Sequence, residues 1–139
     1  MQLEEIYQPI TKELAAVEQV LRESVEDSRY KSIPEISNYL FLNKGRGLRP
    51  AMVILSAKAT SSPRSPFVAS QLINIASAVE LIHTASLIHD DVIDQALLRH
   101  NKPTINSKYG QDVSIALGDY LYSIGFRLIS ASRNADVLS

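Results

Sequence analysis

The sequence predicts an all-α fold, and three observations lead to this prediction. Apolar residues recur at three- and four-residue spacing, which is the period of an amphipathic helix. No stretch alternates apolar and polar residues over a convincing length, and the chain has no Asn-Gly or Asp-Gly hairpin turn. Glycine and proline gather in short segments such as "NKGRGLRP" and "SSPRSPF". We therefore expect about five to six helices joined by these segments.

The helices of the first half follow from this pattern. Apolar residues of the first helix fall at Leu3, Ile6, Ile10, Leu14, Val17 and Leu21. Pro9 is expected to kink or delay that helix, because proline lacks a backbone N–H. A second helix is predicted from Ser32, which can cap it together with Glu35. After "NKGRGLRP", the segment "AMVILSAKA" predicts a largely apolar helix from about Pro50.

The second half predicts two longer helices. One runs from about Pro66 to Asp94 and the other from about Asp112 to Ser132, with the polar connector "QALLRHNKPT" between them. The weakly charged stretch from Val68 to Ile88 is long enough to span a bilayer, but it includes Glu80 and His83, which are costly in lipid. We therefore predict a buried helix and no integral membrane segment.

Composition narrows the class of protein. With 139 residues the chain is about the size of one domain. Its 14 Lys and Arg against 15 Asp and Glu give a net charge of -1, so no general field favours nucleic acid or an anionic membrane. The absence of cysteine and the acidic N-terminus without a signal-peptide h-region favour a cytoplasmic location.

An acidic cluster ends the long helix, in "LIHDDVID". At about 100° per residue, His83, Asp90 and Asp94 share one face, and Asp91 lies about 100° round from Asp90. Such a cluster is most often a solvated helix end. The flanking residues are apolar here, however, and buried carboxylates need compensating cations. Mg²⁺ is suited to the site, because it takes oxygen ligands from one or two carboxylates plus phosphates.

Basic residues flank the acidic cluster in two short loops. They are Lys44, Arg46, Arg49, Arg99 and Lys102. Arginine binds phosphate through paired hydrogen bonds, and the helix after "KGRGLRP" could add backbone N–H donors. A loop of this composition is more often a solvated turn, but the acidic cluster nearby favours phosphate binding. His83 is a candidate phosphate donor, whereas His89 lies on the other side of the helix and fits a core residue. Asp119 is an acid inside an apolar helix, and it could partner a basic residue or support the site.

Four segments in this order, "GRGLRP", "ELIHTASLIHDDVID", "LRHNKPT" and "ALGDYLYS", resemble the N-terminal part of the all-trans isoprenyl diphosphate synthases, the trans-prenyltransferases. The resemblance covers about residues 40 to 126. It implies the N-terminal part of the isoprenoid synthase helical bundle. It also implies a Mg²⁺-dependent enzyme that ionises an allylic diphosphate, so that isopentenyl diphosphate attacks the carbocation.

The resemblance also implies roles for individual residues. The catalytic Asp-rich motif would be Asp90, Asp91 and Asp94, with Asp90 and Asp94 as Mg²⁺ ligands and Asp91 supporting them. Isopentenyl diphosphate would be bound by Arg46, Arg49 and His83, and the allylic diphosphate by Arg99. His100 would inherit a part in binding isopentenyl diphosphate.

This chain departs from the family pattern at several positions. Arg46 stands where the family usually has Lys, and the usual Arg-Arg-Gly appears as Arg99, His100 and Asn101. Histidine at position 100 lacks the permanent positive charge and the planar fork that the family's arginine offers to a phosphate. No second Asp-rich motif follows Asp119. We therefore expect residues 1–139 to be one incomplete domain, an N-terminal fragment that does not turn over substrate alone.

The resemblance further suggests a product class and partners. Ala85 and Ser86, just before the Asp-rich motif, are small, which suggests a medium- or long-chain all-trans polyprenyl diphosphate as the product. A homodimer is expected, or a heteromeric assembly with a C-terminal half. Two alternatives stay open. One is a non-catalytic truncated paralogue or helical subunit, and the other is an HD-type metal phosphohydrolase built on the His89-Asp90 pair, although His89 points about 100° away from Asp90.

Overall fold

The computed structural model describes residues 3–26, 32–42, 47–61 and 68–132. In chain order the elements are α1 (Leu3–Tyr7), a 3₁₀ turn (Gln8–Ile10), α2 (Thr11–Glu26), α3 (Ser32–Leu42), α4 (Leu48–Thr60), α5 (Ala69–Ile93), β1 (Leu98–Arg99), β2 (Lys102–Pro103), α6 (Ile105–Tyr109) and α7 (Gln111–Ala131). The all-α class is confirmed. The predicted helix start at Pro66 lies outside the described residues, as do Lys44 and Arg46.

The N-terminal helices begin and end where their local chemistry predicts. The 3₁₀ turn that carries Pro9 separates α1 from α2, because proline cannot donate the backbone hydrogen bond that would continue the helix. α3 begins at Ser32, as predicted. α4 begins at Leu48, two residues before Pro50, and follows Gly47, whose φ of +65° favours glycine.

Helix α5 lies at the centre of the bundle and packs against α2, α4 and α7. Its buried side chains are mostly small or branched: Leu72, Ala76, Ala78, Leu81, Ala85 and Ile88. Among the described helices, α5 is the one long and apolar enough to cross a membrane by length and composition. The core helix of a soluble bundle passes the same test, and the packing of α5 on three helices fits that setting.

Two glycines allow α7 to approach α5 closely. A methyl group at Gly118 would overlap the His89 imidazole, and one at Gly125 would lie 2.9 Å from Cγ1 of Ile82. The His89 ring therefore occupies space that a side chain on α7 would otherwise fill. Its Nε2–H donates to the Ile115 carbonyl at 3.2 Å, which ties the functional end of α5 to α7.

The polar connector after α5 contains a small hairpin that the sequence does not predict. β1 and β2 pair antiparallel, with Leu98 opposite Pro103 and Arg99 opposite Lys102. The two turn residues, His100 and Asn101, have φ of +51° and +63°. Positive φ at both central positions is the mark of a type I′ turn, which Asn enters more readily than most residues. The usual Asn-Gly signal is absent, so the hairpin escapes sequence reasoning.

Candidate functional site

A cleft of about 970 Å³ lies beside the C-terminal half of α5. Its walls come from α2, α3, α4 and α5, from the hairpin, and from the start of α6. One part of the lining is apolar and the other is charged or polar. The charged and polar lining residues include Glu18, Arg49, Glu80, His83, Asp91, Arg99, His100 and Lys102.

Arg49 enters the cleft from the first turn of α4. It is exposed, whereas its neighbour Pro50 is buried and anchors the helix start. The positive charge of Arg49 helps to lower the pKa of His83, so the two side chains face the same space although they lie on different helices. Because the N-terminal turn of a helix carries unpaired N–H groups, this position suits an anion.

His83 projects from α5 into the same cleft and is half-buried. Burial lowers its pKa below the ordinary value, the charges of Arg49 and Arg99 lower it further, and the charge of Asp90 acts in the opposite direction. The imidazole is therefore neutral near pH 7 and can donate one N–H to a bound anion. A negatively charged ligand would offset the two arginines and favour the protonated form.

Arg99 reaches back from β1 to Asp91 on α5. Its Nε lies 3.0 Å from Oδ1 and 3.2 Å from Oδ2, and its Nη2 lies 2.9 Å from Oδ1. Asp91 is 6% exposed, so this ion pair is largely shielded on the carboxylate side. The hydrogen bond to Asp91 is the main cause that raises the pKa of Arg99. The side chain is therefore both charged and fixed in direction.

Asp90 and Asp94 are exposed at the C-terminal end of α5, whereas Asp91 is buried and lines the cleft, which Asp90 and Asp94 do not line. The backbone N–H of Asp94 donates to the Asp90 carbonyl at 2.8 Å and closes the helix. Their charges also help to raise the pKa of Arg99, so they lie within electrostatic range of the basic side of the cleft.

The two exposed carboxylates fit a magnesium ion by the chemistry of the donor set. Mg²⁺ uses one or two carboxylates and completes its shell with water and phosphate oxygens. Within the described part of the chain, no three His, Cys, Asp or Glu side chains gather into a complete metal site.

His89, Ala85 and Ser86 lie on α5 near the site but do not line the cleft. His89 contacts α7 as a core residue would, and it also lies 3.7 Å from Oδ1 of Asp119. This position disfavours the phosphohydrolase alternative, because His89 does not face the cleft. Ala85 is fully buried and Ser86 is half-buried. Neither of them lines the described cleft.

A tyrosine and a lysine that the sequence did not single out hold the hairpin against α3. The Tyr39 hydroxyl donates to the Pro103 carbonyl at 2.8 Å. Lys108 Nζ lies 4.0 Å from the centre of the Tyr39 ring and 5.0 Å from that of Tyr109. The contact spans 64 residues in sequence, and no local pattern indicates it.

The fold of this chain is that of the isoprenoid synthases. Its helical architecture and its basic cleft near an acidic helix end are features of that class. The chain belongs to the polyprenyl synthetase family, whose model matches residues 30–139. The resemblance drawn from the four segments is thereby confirmed at the level of the family.

Curated relatives and solved structures agree with this assignment. The chain is 43% identical to a decaprenyl-diphosphate synthase of Dictyostelium discoideum over 76% of its length, and 30% identical to the octaprenyl diphosphate synthase of Escherichia coli K12 over 99%. It is 37% identical to heptaprenyl diphosphate synthase component 2 of Geobacillus stearothermophilus over 88%. A decaprenyl diphosphate synthase from Rhodobacter capsulatus superposes with a TM-score of 0.86 at 32% identity over 97% of this chain.

The chain spans only part of each relative. It covers 22% of the Dictyostelium protein, 41% of the Escherichia coli protein and 37% of the Geobacillus protein. It covers 40% of the Rhodobacter structure. A polyprenyl synthase from Caulobacter crescentus, solved with calcium and isoprenyl diphosphate, matches with a TM-score of 0.85 at 27% identity, covering 96% of this chain and 39% of that one.

Proposed function

We propose that this chain supplies the first metal- and diphosphate-binding half of a trans-prenyltransferase. The enzyme condenses isopentenyl diphosphate with an allylic diphosphate to give a medium- or long-chain all-trans polyprenyl diphosphate. The observation that carries the proposal is the cleft that brings together Arg49, His83 and Arg99 from three separate elements. Asp90 and Asp94 do not line this cleft, but their charges help to raise the pKa of Arg99. The related octaprenyl, heptaprenyl and decaprenyl diphosphate synthases support the product class.

The basic residues divide between two substrates in this proposal. Arg49 and His83, together with Arg46, bind the diphosphate of isopentenyl diphosphate, and Arg99 binds that of the allylic substrate. His100 lines the cleft and is exposed, and in this proposal it donates a hydrogen bond to isopentenyl diphosphate. The guanidinium groups stabilise the negative charge that builds up on the allylic diphosphate as its C–O bond breaks.

Asp90 and Asp94 are the residues that would hold Mg²⁺, and Asp91 supports the motif. When bound, the ion supplies charge stabilisation to the leaving diphosphate. The chain's own contribution is to place two carboxylates one helical turn apart, within electrostatic range of Arg99. The apolar lining, including Leu14 and Leu87, excludes water from a reactive carbocation.

The remaining parts of the proposal concern the whole protein. Residues 1–139 form one incomplete domain of a cytoplasmic enzyme. A C-terminal portion supplies the rest of the bundle, either in the same chain of a homodimer or in a partner chain. The relative named component 2 favours a heteromeric form as the second candidate, with this chain as a helical subunit.

A fusion to a known C-terminal half tests the function. In this fusion, the chain is joined after α7 to the portion of the Escherichia coli octaprenyl diphosphate synthase that lies beyond the matched region. We expect the fusion to form polyprenyl products from labelled isopentenyl diphosphate, an allylic diphosphate and Mg²⁺. The chain alone should form none. D90N in the fusion should reduce turnover at least about a hundredfold, because one metal ligand is lost. A well-folded fusion with no turnover would contradict the proposal.

A further inference from the structure

The three carboxylates of "DDVID" differ sharply in their surroundings. Asp90 and Asp94 are exposed, whereas Asp91 is 6% exposed and its two oxygens contact the Arg99 guanidinium. A carboxylate engaged in this way has few remaining lone pairs to offer a cation. The motif therefore divides into two exposed acids and one buried acid that already has a partner.

The contact uses one defined edge of Arg99. Nε and Nη2 face Asp91, and this leaves the Nη1 group outside the pair. Since the guanidinium is planar, fixing one edge also fixes the direction of the other. Both residues line the same cleft as Arg49 and His83, so an anion bound there would lie beside the Arg99 guanidinium.

The hairpin is held in the position that this contact requires. Ala96 N–H donates to the Asp91 carbonyl at 2.9 Å, and the Thr104 hydroxyl donates to the Ala96 carbonyl at 2.8 Å. The Tyr39 hydroxyl fixes Pro103 on the second strand. Hydrogen bonds to backbone carbonyls near both ends of the hairpin thus fix the position of the Arg99 backbone, and Asp91 fixes the direction of its side chain.

We infer that Asp91 is a positioning residue that aims Arg99 at a bound diphosphate, and that it is not a metal ligand. The inference rests on the proposed function, because it takes Arg99 as a diphosphate-binding group. It gives Asp91 a role distinct from those of Asp90 and Asp94.

Two adjacent variants separate positioning from simple electrostatics. D90N and D91N each remove one negative charge near the basic cleft, so a purely electrostatic effect would strengthen the binding of an anion in both. If Asp91 aims Arg99, D91N instead weakens the binding of inorganic diphosphate about tenfold in metal-free buffer. D90N leaves that binding unchanged or tighter. Calorimetric titration of the 139-residue chain with inorganic diphosphate measures both.

Titration with Mg²⁺ should rank the two variants in the opposite order, with D90N the more affected. Titration with Mg²⁺ should show that D90N loses the coupling between the cation and diphosphate, because a ligand is removed, and that D91N keeps it. D91E retains the charge but displaces the guanidinium, so it too should weaken diphosphate binding. R99K keeps the charge without the planar fork, and adding D91N to R99K should have little further effect.

The outcomes distinguish this inference from the proposed function. If wild type binds diphosphate and D91N binds it equally well or more tightly, the inference is overturned and the proposed function is not. Loss of the Mg²⁺ coupling in D91N would have the same meaning. Wild type that binds no diphosphate, with or without Mg²⁺, would overturn the proposed function as well. If D91N fails to fold by circular dichroism, D91E and R99K decide the same question. Wild-type affinity in both of them would overturn the inference.

Discussion

Burial at a single histidine links the stability of the chain to pH. The pKa of His83 is lowered mainly by burial and also by two neighbouring arginines, while its ordinary pKa is about 6.5. The unfolded chain therefore binds a proton at His83 at a higher pH than the folded chain does. Stability from this group is complete above its ordinary pKa and is lost as pH falls through that value toward the folded pKa.

We expect H83Q to abolish this part of the pH dependence. Urea unfolding of wild type and H83Q at pH 7.5 and at pH 5 measures the effect, since contributions of the carboxylates cancel in the difference between the two proteins. Wild type should lose more stability than H83Q on acidification. Parallel losses in the two proteins would contradict the assigned cause.

The contact between Gly118 and His89 gives a second prediction at the residue scale. G118A should lower the free energy of unfolding by about 1–3 kcal/mol, because the added methyl overlaps the imidazole of His89. In the H89A background the overlap disappears, so the same change should stabilise the helix by about 1 kcal/mol. Chemical denaturation of the four proteins in this cycle shows whether the sign reverses. An equal effect of G118A in both backgrounds would rule out this contact as the cause.

At the scale of elements, the hairpin depends on two residues with positive φ. N101V should destabilise the protein by about 1–2 kcal/mol, because a β-branched side chain is strained in that conformation. N101G should be neutral or slightly stabilising. N106V is a matched control, since Asn106 lies in α6 with helical backbone and Asn and Val have similar helix propensities. The free energies of unfolding should therefore rank N101G above N106V above N101V, and equal values for the two valine variants would contradict the strain.

The same hairpin shows where sequence reasoning ends. The periodicity of the helices predicts α2, α5 and α7 within a few residues, because one helix face must be apolar whatever it packs against. The capping signal of Ser32 and Glu35 predicts the start of α3. Helical arithmetic places His83 with Asp90 and turns Asp91 and His89 away from them. The lining of the cleft instead includes His83 with Asp91, and Asp90 lies outside it. Helical arithmetic cannot say what those turned residues meet. The partners of Asp91 and His89 come from the hairpin and from α7, and only the tertiary packing brings them together.

At the scale of the whole molecule, the acidic and basic parts of the site must act together. Asp90 and Asp94 repel a diphosphate, whereas Arg49 and Arg99 attract it, and a cation between them would reverse the repulsion. Large apolar side chains beside the acids are exposed in this chain, namely Ile93, Leu97 and Leu98.

We therefore predict that Mg²⁺ and inorganic diphosphate stabilise the chain more together than the sum of their separate effects. A ligand at a hundred times its dissociation constant adds about 2.7 kcal/mol, which raises the midpoint of thermal unfolding by several degrees. Thermal unfolding with neither, either or both ligands measures the excess. D90N should remove the excess and keep or increase the effect of diphosphate alone, because it removes a ligand of the cation and a charge that repels the anion. R49A should reduce the effect of diphosphate with and without Mg²⁺. Additive shifts in wild type would mean that the acidic helix end and the basic cleft bind their ligands separately.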